Sequence, residues 1–303
     1  MTLKQWIYYV QFETWLNCLI YNNRYILKLR RNYRKLSKLM LLLTSPYLLV
    51  NWLLRAAYAY TFGKLRVEKQ LNKEESETFE HELAIVAIAK NEGLYIREWI
   101  EYHHIIGINK IFLYDNDSSD NTVELLQPYI ESGYVEYTPI HGVGKQLEAY
   151  NDAIARHKME CRWMAFIDLD EYIMPQQPFE PIANIVKRVL KKHSNAAGIA
   201  LNWCLYGNSG HKNRPKGLIT ESYIERGKES NPLNHMIKTL CNPRMVHYYI
   251  SPHYPQYRLG AISVDSTGEK RSKGWFCRDL TFKNLRLNHY YCKSEEDYKI
   301  KTS

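Results

Sequence analysis

From residue 83 onward, short apolar runs alternate with stretches of helical period. LAIVAIA (83–89) is a continuous apolar run of strand length, and it ends at Lys90, Asn91, Glu92 and Gly93. Ile96, Trp99, Ile100 and His103 then recur at i, i+3, i+4 and i+7, the spacing of one helix face. KIFLY (110–114) predicts a second strand, followed by the polar run 115–122, whose Ser and Asp side chains suit the cap of a helix over VELLQPYI. YVEYT (134–138) predicts a shorter strand. After a glycine loop at 141–144, residues 145–157 carry Leu147, Tyr150, Ile154 and His157 on one helical stripe. WMAFI (163–167) predicts a fourth strand, which runs straight into Asp168, Leu169, Asp170 and Glu171. Strands alternating with helices predict an α/β fold, a Rossmann-like, mostly parallel sheet flanked by helices. Ligands bind beyond the carboxyl ends of such strands, and three of the four predicted strands end in acidic or polar clusters.

The first 66 residues follow a different pattern. Residues 5–21 are apolar and aromatic nearly all round, with Trp6, Tyr8, Tyr9, Phe12 and Trp15, and a basic run (Arg30, Arg31, Arg34, Lys35, Lys38) follows. A second apolar stretch, 39–54, has no charge over 16 residues, contains Pro46 and Asn51, and is closed by Arg55. A spanning helix needs about 20 such residues, so the segment fits an interfacial position better than a crossing one. Aromatic residues suit the headgroup level, and Lys and Arg suit anionic lipid on the cytoplasmic side. Residues 1–66 are therefore expected to be an amphipathic, basic helical segment resting peripherally on the cytoplasmic face of a membrane. The alternative is a helical hairpin packed on the main domain or on a second subunit. Glu13 interrupts the first apolar run and no small-residue cleavage site follows, unlike a secretory signal. Residues 67–82, rich in Glu and Lys, read as a solvated linker or exposed helix, and 83–303 as the catalytic domain.

Charge sharpens this division. The net charge is +9, but residues 1–66 hold 11 Lys and Arg against one acid, and the remainder 30 against 31. A neutral body argues against a nucleic-acid enzyme, which needs cations along its binding face. With 45% hydrophobic and 24% charged residues the chain is a folded protein, and its six cysteines show no C-x-x-C pair or metal-ligand spacing. They read as buried thiols of a reducing compartment.

Carboxylates crowded at a strand end repel one another unless a cation neutralises them. Asp168 and Asp170, with oxygen ligands only, suit Mg2+ or Mn2+, ions that also carry substrate phosphates and can stabilise a phosphate oxygen gaining charge. Lys238 is a further candidate to meet such a phosphate, with a solvated surface lysine as the plain alternative. His103 and His104 read as packing or surface residues. His253 is a candidate to line a binding site, and Trp203, Tyr206 and Trp275 suit either stacking on a ligand or the core.

The segments AIVAIAKNEG, FLYDNDSSDNT, KQLEAYNDAI and MAFIDLDEYI, in this order and spacing, resemble the nucleotide-sugar-dependent glycosyltransferases of the A-type fold. The match is to glycosyltransferase family 92 and bacterial relatives near family 2. GNSGHKNRPKGLITESYIER, HMIKTLCNPRMV, SPHYP and LNHYYCKS are similar to that family's C-terminal half. The resemblance covers residues 83 to about 298, and the family pattern continues past the last helix.

The resemblance implies transfer of a sugar from a nucleoside diphosphate, UDP by default, to an acceptor hydroxyl, with inversion and usually with Mn2+. It implies that Lys90, Asn91 and Glu92 form the first nucleotide loop, that Asp115 and Asp117 meet base and ribose, and that Lys145 and Gln146 face the donor. Asp168 and Asp170 become the D-x-D pair, with the second acid on the metal, and His289 a C-terminal metal or diphosphate ligand. Inverting transfer needs a carboxylate base. Glu221, in the pattern Gly217, Leu218, Glu221, is the first choice, then Glu225, then Glu171 beside the D-x-D. A lipid-linked, lipopolysaccharide or capsule glycan is the acceptor that would explain an amphipathic N-terminus. The competing readings are an inactive membrane-surface scaffold of the same fold and a haloacid-dehalogenase-type phosphatase. The latter lacks support from Tyr172 and from any later Gly-Asp-x-x-Asp pattern.

Overall fold

The apolar run at 83–89 lies in β1 (His81–Ala89), and a computed structural model, describing residues 50, 53–177, 180–271, 274–277 and 279–302, builds the sheet outward from it. The other three predicted strands are β2 (Lys110–Asp115), β3 (Val135–Pro139) and β4 (Cys161–Phe166). All four run parallel, with Ala89 opposite Asp115 and Asp115 opposite Pro139, so their polar ends are brought to one edge. Helices Ile96–Ile105, Thr122–Glu131 and Gln146–His157 are the crossovers. Both faces of β1 are covered, which is why its sequence does not alternate. Leu83, Ile85, Ala87 and Ala89 pack with Trp99, Ile100 and Leu126 on one side, and Ala84 and Val86 with Tyr150, Ala153 and Ile154 on the other.

The second half adds β5 (Glu171–Pro175), β6 (Ala196–Leu205), β7 (Ile237–Cys241), β8 (Val246–Ser251), β9 (Tyr254–Tyr257), β10 (Ile262–Val264) and β11 (Leu285–His289). Among the described residues the main sheet runs β3-β2-β1-β4-β7-β6-β11-β5, with β10 beside β6, while β8 and β9 form a separate ribbon. Most pairings are parallel. The exceptions are β7, antiparallel between β4 and β6, and β5, antiparallel to β11.

One expectation holds and one is refined. The polar run 115–122 stabilises the next helix through an Asp side chain, while Asn121 at the cap position makes no side-chain bond. Asp120 accepts the N–H of Thr122 at 3.0 Å, and Thr122 Oγ1 in turn accepts the N–H of Glu92 at 2.9 Å. The stretch 67–82, expected to be a solvated linker or exposed helix, is the partly buried helix Lys64–Glu75, joined through 76–80 to the start of β1. Its reason is a buried stripe, Ala56, Ala59, Gly63, Val67 and Glu74, spaced three, four or seven apart. Glu74 is buried yet charged, because Arg244 Nε lies 2.9 Å away and Asn242 donates at 2.6 Å. At Gly63 and Gly260 (φ +97°) the backbones meet so closely that a Cβ on Gly260 would fall 2.2 Å from Gly63 C. The opposite face of the helix leaves Leu54, Tyr58, Phe62 and Leu65 exposed. The segments 5–21 and 30–38 and most of 39–54 lie outside the described residues, and no described helix is long and apolar enough to cross a membrane.

His103, read as a packing residue, is fully buried and joins the helix Ile96–Ile105 to β5. Ile173 N donates to its Nε2 at 3.4 Å, so Nδ1 carries the proton and donates to Trp99 O at 2.7 Å. His104 is exposed with its ring against Tyr134. Burial holds His103 down to about 3. Below its unfolded value of about 6.5 the unfolded chain binds the extra proton, so stability is full above that pH and falls as pH drops. The slope from this one group is about 1.4 kcal/mol per pH unit. Urea unfolding at pH 7.5 and pH 5 should therefore show a smaller loss in His103→Gln than in the wild type. Equal losses would refute the role.

Candidate active site

The D-x-D acids sit in a turn that the chain closes from both sides. Glu171 N donates to Asp168 O at 3.1 Å, and Asp168 N donates back to Glu171 Oε2 at 2.8 Å. Leu169 is buried beneath the turn, and Trp99 Nε1 donates to Glu171 O at 2.8 Å. On the far side β11 pairs His289 with Glu171, and Tyr290 N donates to Asp170 O at 2.8 Å. Three elements thus hold four consecutive residues.

The charges inside are neutralised first by the protein itself. Lys238 was open to being a solvated surface lysine. It is completely buried on β7, with Nζ 2.7 Å from Asp168 Oδ1 and 3.7 Å from Glu171 Oε2. Burial alone would strip its proton, but the two carboxylates outweigh that and hold it above the ordinary lysine value. Burial pushes Glu171 upward against the pull of Lys238. Its carboxylate is enclosed, with Oε1 unpartnered and Oε2 holding the Asp168 N–H. Gln146, expected to face the donor, donates to Asp168 Oδ1 at 2.6 Å and to Tyr150 OH at 3.1 Å.

Asp170 faces a second set of cations. His289 Nε2 lies 3.4 Å from Oδ1 and Lys301 Nζ 2.6 Å from Oδ2. Burial would raise Asp170, but these two groups hold it well below the usual carboxylate range. His289 is itself raised, burial being overcome by Asp170, and its Nδ1 is buried without a partner. Trp203 packs 4.2 Å from the His289 ring, with His253 at 5.5 Å from Trp203, and the Trp203 indole N–H is likewise unpartnered. Tyr206 is half-buried against Tyr290, while Trp275 is exposed.

The loops after β1 and β2 are stitched together at the same edge. Asn91 (φ +56°) donates its N–H to Ser118 Oγ at 2.9 Å and accepts Ser119 N at 2.8 Å. Gly93 N donates to Asp120 at 3.0 Å, and a Cβ there would lie 2.1 Å from Asn121 Oδ1. Burial lifts Glu92, with Lys293 opposing. Asp115 is buried, accepts from Tyr137 OH at 3.2 Å, and keeps Oδ1 unpartnered. Asp117 (φ +59°) is exposed and paired with His141 at 2.5 Å, which with the Gly142 N–H holds it below its ordinary value. Lys90 is exposed on its loop, and Lys145 is paired with Glu148 at 2.6 Å.

Glu221 and Glu225 belong to a separate segment of the chain. Both are exposed, Glu221 on the short helix Ile219–Ser222 and Glu225 just after it. Glu98, which sequence reasoning missed, fixes that helix by accepting the N–H groups of Ile219 at 2.7 Å and Thr220 at 3.0 Å. Lys301 was missed as well, being one charge in a polar C-terminal stretch. Lys238 carried a signal, a lone charge in the apolar run 236–241.

Asp170 and His289 offer an oxygen and an imidazole nitrogen, a donor pair that suits Mn2+. Among the described residues no three His, Cys, Asp or Glu side chains converge as a complete ligand set. That fits ions such as Mg2+, which take few protein ligands and complete their shell with water and substrate phosphate.

The glycosyltransferase family 92 model matches residues 85–269, more than half of the chain. A family 92 protein of Arabidopsis thaliana is 29% identical over 195 residues, 62% of this chain and 33% of that protein. A second, from Ricinus communis, is 27% identical over 176 residues, 56% and 31%. The chain spans about a third of the length of these curated relatives. The Arabidopsis galactan β-1,4-galactosyltransferase GALS2 is 34% identical over 91 residues, 26% of this chain and 17% of that protein. Among solved structures, S. aureus TarS in complex with UDP aligns with a TM-score of 0.37 at 14% identity, covering 54% of this chain and 47% of that one. By the extent of the family match, the chain belongs to glycosyltransferase family 92.

Proposed function

We propose that this chain is a metal-dependent, inverting glycosyltransferase of the A-type fold that moves a sugar from a nucleoside-diphosphate donor to a glycan hydroxyl. The observation that carries the reading is the joining of Asp168, Asp170, Glu171 and His289 at the edge where β1 and β2 also end. UDP is the favoured nucleotide, and the likeness to a galactan galactosyltransferase makes UDP-galactose the first donor to try.

Asp170 and His289 would hold Mn2+ or Mg2+, which supplies Lewis-acid neutralisation of the departing diphosphate. Asp168, fixed by Lys238 and Gln146, faces the donor, and Asp115 and Asp117 receive base and ribose. The loop of Lys90, Asn91 and Glu92 closes that side, with Lys145 at the head of the next helix. In the transfer, the acceptor oxygen bonds the anomeric carbon from the face opposite the diphosphate as the old C–O bond breaks. The acceptor proton passes to a carboxylate, for which Glu221, exposed and firmly positioned through Glu98, is the first choice and Glu225 the second.

The exposed row Leu54, Tyr58, Phe62 and Leu65, beside Arg55, Lys64 and Arg66, supports docking on an anionic membrane surface at its cytoplasmic face. A lipid-linked or lipopolysaccharide glycan is then the acceptor within reach, and pairing of two chains through the N-terminal helices is the alternative use of that face.

Calorimetry should show UDP binding that requires Mn2+ and disappears in Asp170→Ala. Binding that survives the substitution would remove Asp170 from the metal site. Glu221→Gln should lower kcat about 100-fold with little change in donor KM, while Glu225→Gln stays near wild type. The reverse pattern would reassign the base. In flotation with anionic vesicles, the triple variant Leu54→Glu, Phe62→Glu, Leu65→Glu should stay in the soluble fraction. Continued flotation would end the docking assignment.

A further inference from the structure

The helix Glu295–Thr302 lies over the site and yet buries none of its eight residues. Its first turn is fastened to the loop that precedes Glu221. Arg214 pairs with Asp297 at 2.6 Å, Glu295 N donates to His211 O at 3.2 Å, and Glu296 N donates to Lys212 O at 3.0 Å. Its last turn reaches the body through Lys301, whose ammonium lies 2.6 Å from Asp170 Oδ2 and 3.9 Å from the centre of the Tyr291 ring. Asp170 is only 10% exposed, and its other oxygen already faces His289 at 3.4 Å.

A carboxylate in that setting has room for one strong cation on its open side. A divalent ion bound through Asp170 would stand within a few ångströms of the Lys301 ammonium, and with Lys301 39% but Asp170 only 10% exposed, solvent screens the repulsion incompletely. We propose that Lys301 is a built-in counter-ion of Asp170 which a divalent metal must displace, so that metal loading and release of the last turn of this helix are one event. The inference rests on the metal-dependent reading above. It adds a role for the C-terminal helix, which holds the carboxylate in place and neutralised until the metal arrives with its donor.

The test is titration of the full chain with Mn2+ alone, followed by the EPR signal of free Mn2+, on wild type, Lys301→Met, Lys301→Arg and Asp170→Ala. Backbone hydrogen exchange over 298–302 is measured with and without the ion. Lys301→Met should bind Mn2+ about tenfold tighter, in proportion to one lost charge-assisted contact, and Lys301→Arg should stay near wild type. Mn2+ should speed exchange over 298–302 in the wild type, whereas Lys301→Met should exchange fast from the start. Equal or weaker binding by Lys301→Met, or exchange that ignores Mn2+, overturns the inference. If that binding is still abolished in Asp170→Ala, the metal reading survives. No Mn2+ binding by any variant overturns the metal reading and the inference with it.

Discussion

A lysine with no exposed surface, set between two carboxylates, is the constraint around which the site is organised. Lys238 can keep its charge inside the sheet only because Asp168 and Glu171 face it, and they can stay crowded only because Lys238 is there. Removing one partner of such a buried set costs about 3–5 kcal/mol, since the remaining charges are left without compensation. The antiparallel insertion of β7 between β4 and β6 follows from the same need, because it carries a cation to the open end of β4. Gln146 from one helix and Trp99 from another then fix the turn from opposite faces. Asp170 is left as the acid with an exchangeable partner.

The two acids differ in the partners that hold them more than in their order in the motif. Asp168 is committed to the protein through Lys238, Gln146 and its own backbone contact with Glu171. Asp170 is bounded by side chains from the C-terminal part, His289 on β11 and Lys301 beyond it. The site is thus completed by residues more than a hundred positions away from the D-x-D, and the loop bearing Glu221 is tied to the same C-terminal helix through Arg214.

The first four strands were legible because β1 is buried on both faces and reads as an unbroken apolar run, while the crossovers keep a helical stripe. Apart from β6, a ten-residue and largely apolar run, the strands after β4 are short, and the antiparallel entry of β7 leaves no trace in periodicity. The helix Lys64–Glu75 was read only as a linker or an exposed helix, for a physical reason. Its charged composition signals solvent, but Glu74 is buried through a specific partner, Arg244, 170 residues later. Lys238 shows the same effect in reverse, a charge in an apolar run whose compensation lies on another strand. The D-x-D itself was legible, since acids at a strand end need only the local pattern, whereas the lysines that neutralise them are brought in by tertiary structure. Glu221 and Glu225 lie on an exposed segment, and Glu98, which holds that segment, had no local signature.

The strand β7 joins two ends of the molecule that chemistry treats separately. Lys238 near its start reaches the carboxylates, and Asn242 just past its end grips Glu74 of the N-terminal helix. At about 3.3 Å per residue these grips are about 13 Å apart. A strut of that length fixes how far the carboxylates stand from the buried Glu74 end of the N-terminal helix, so a shift of that helix is carried to the site along one strand.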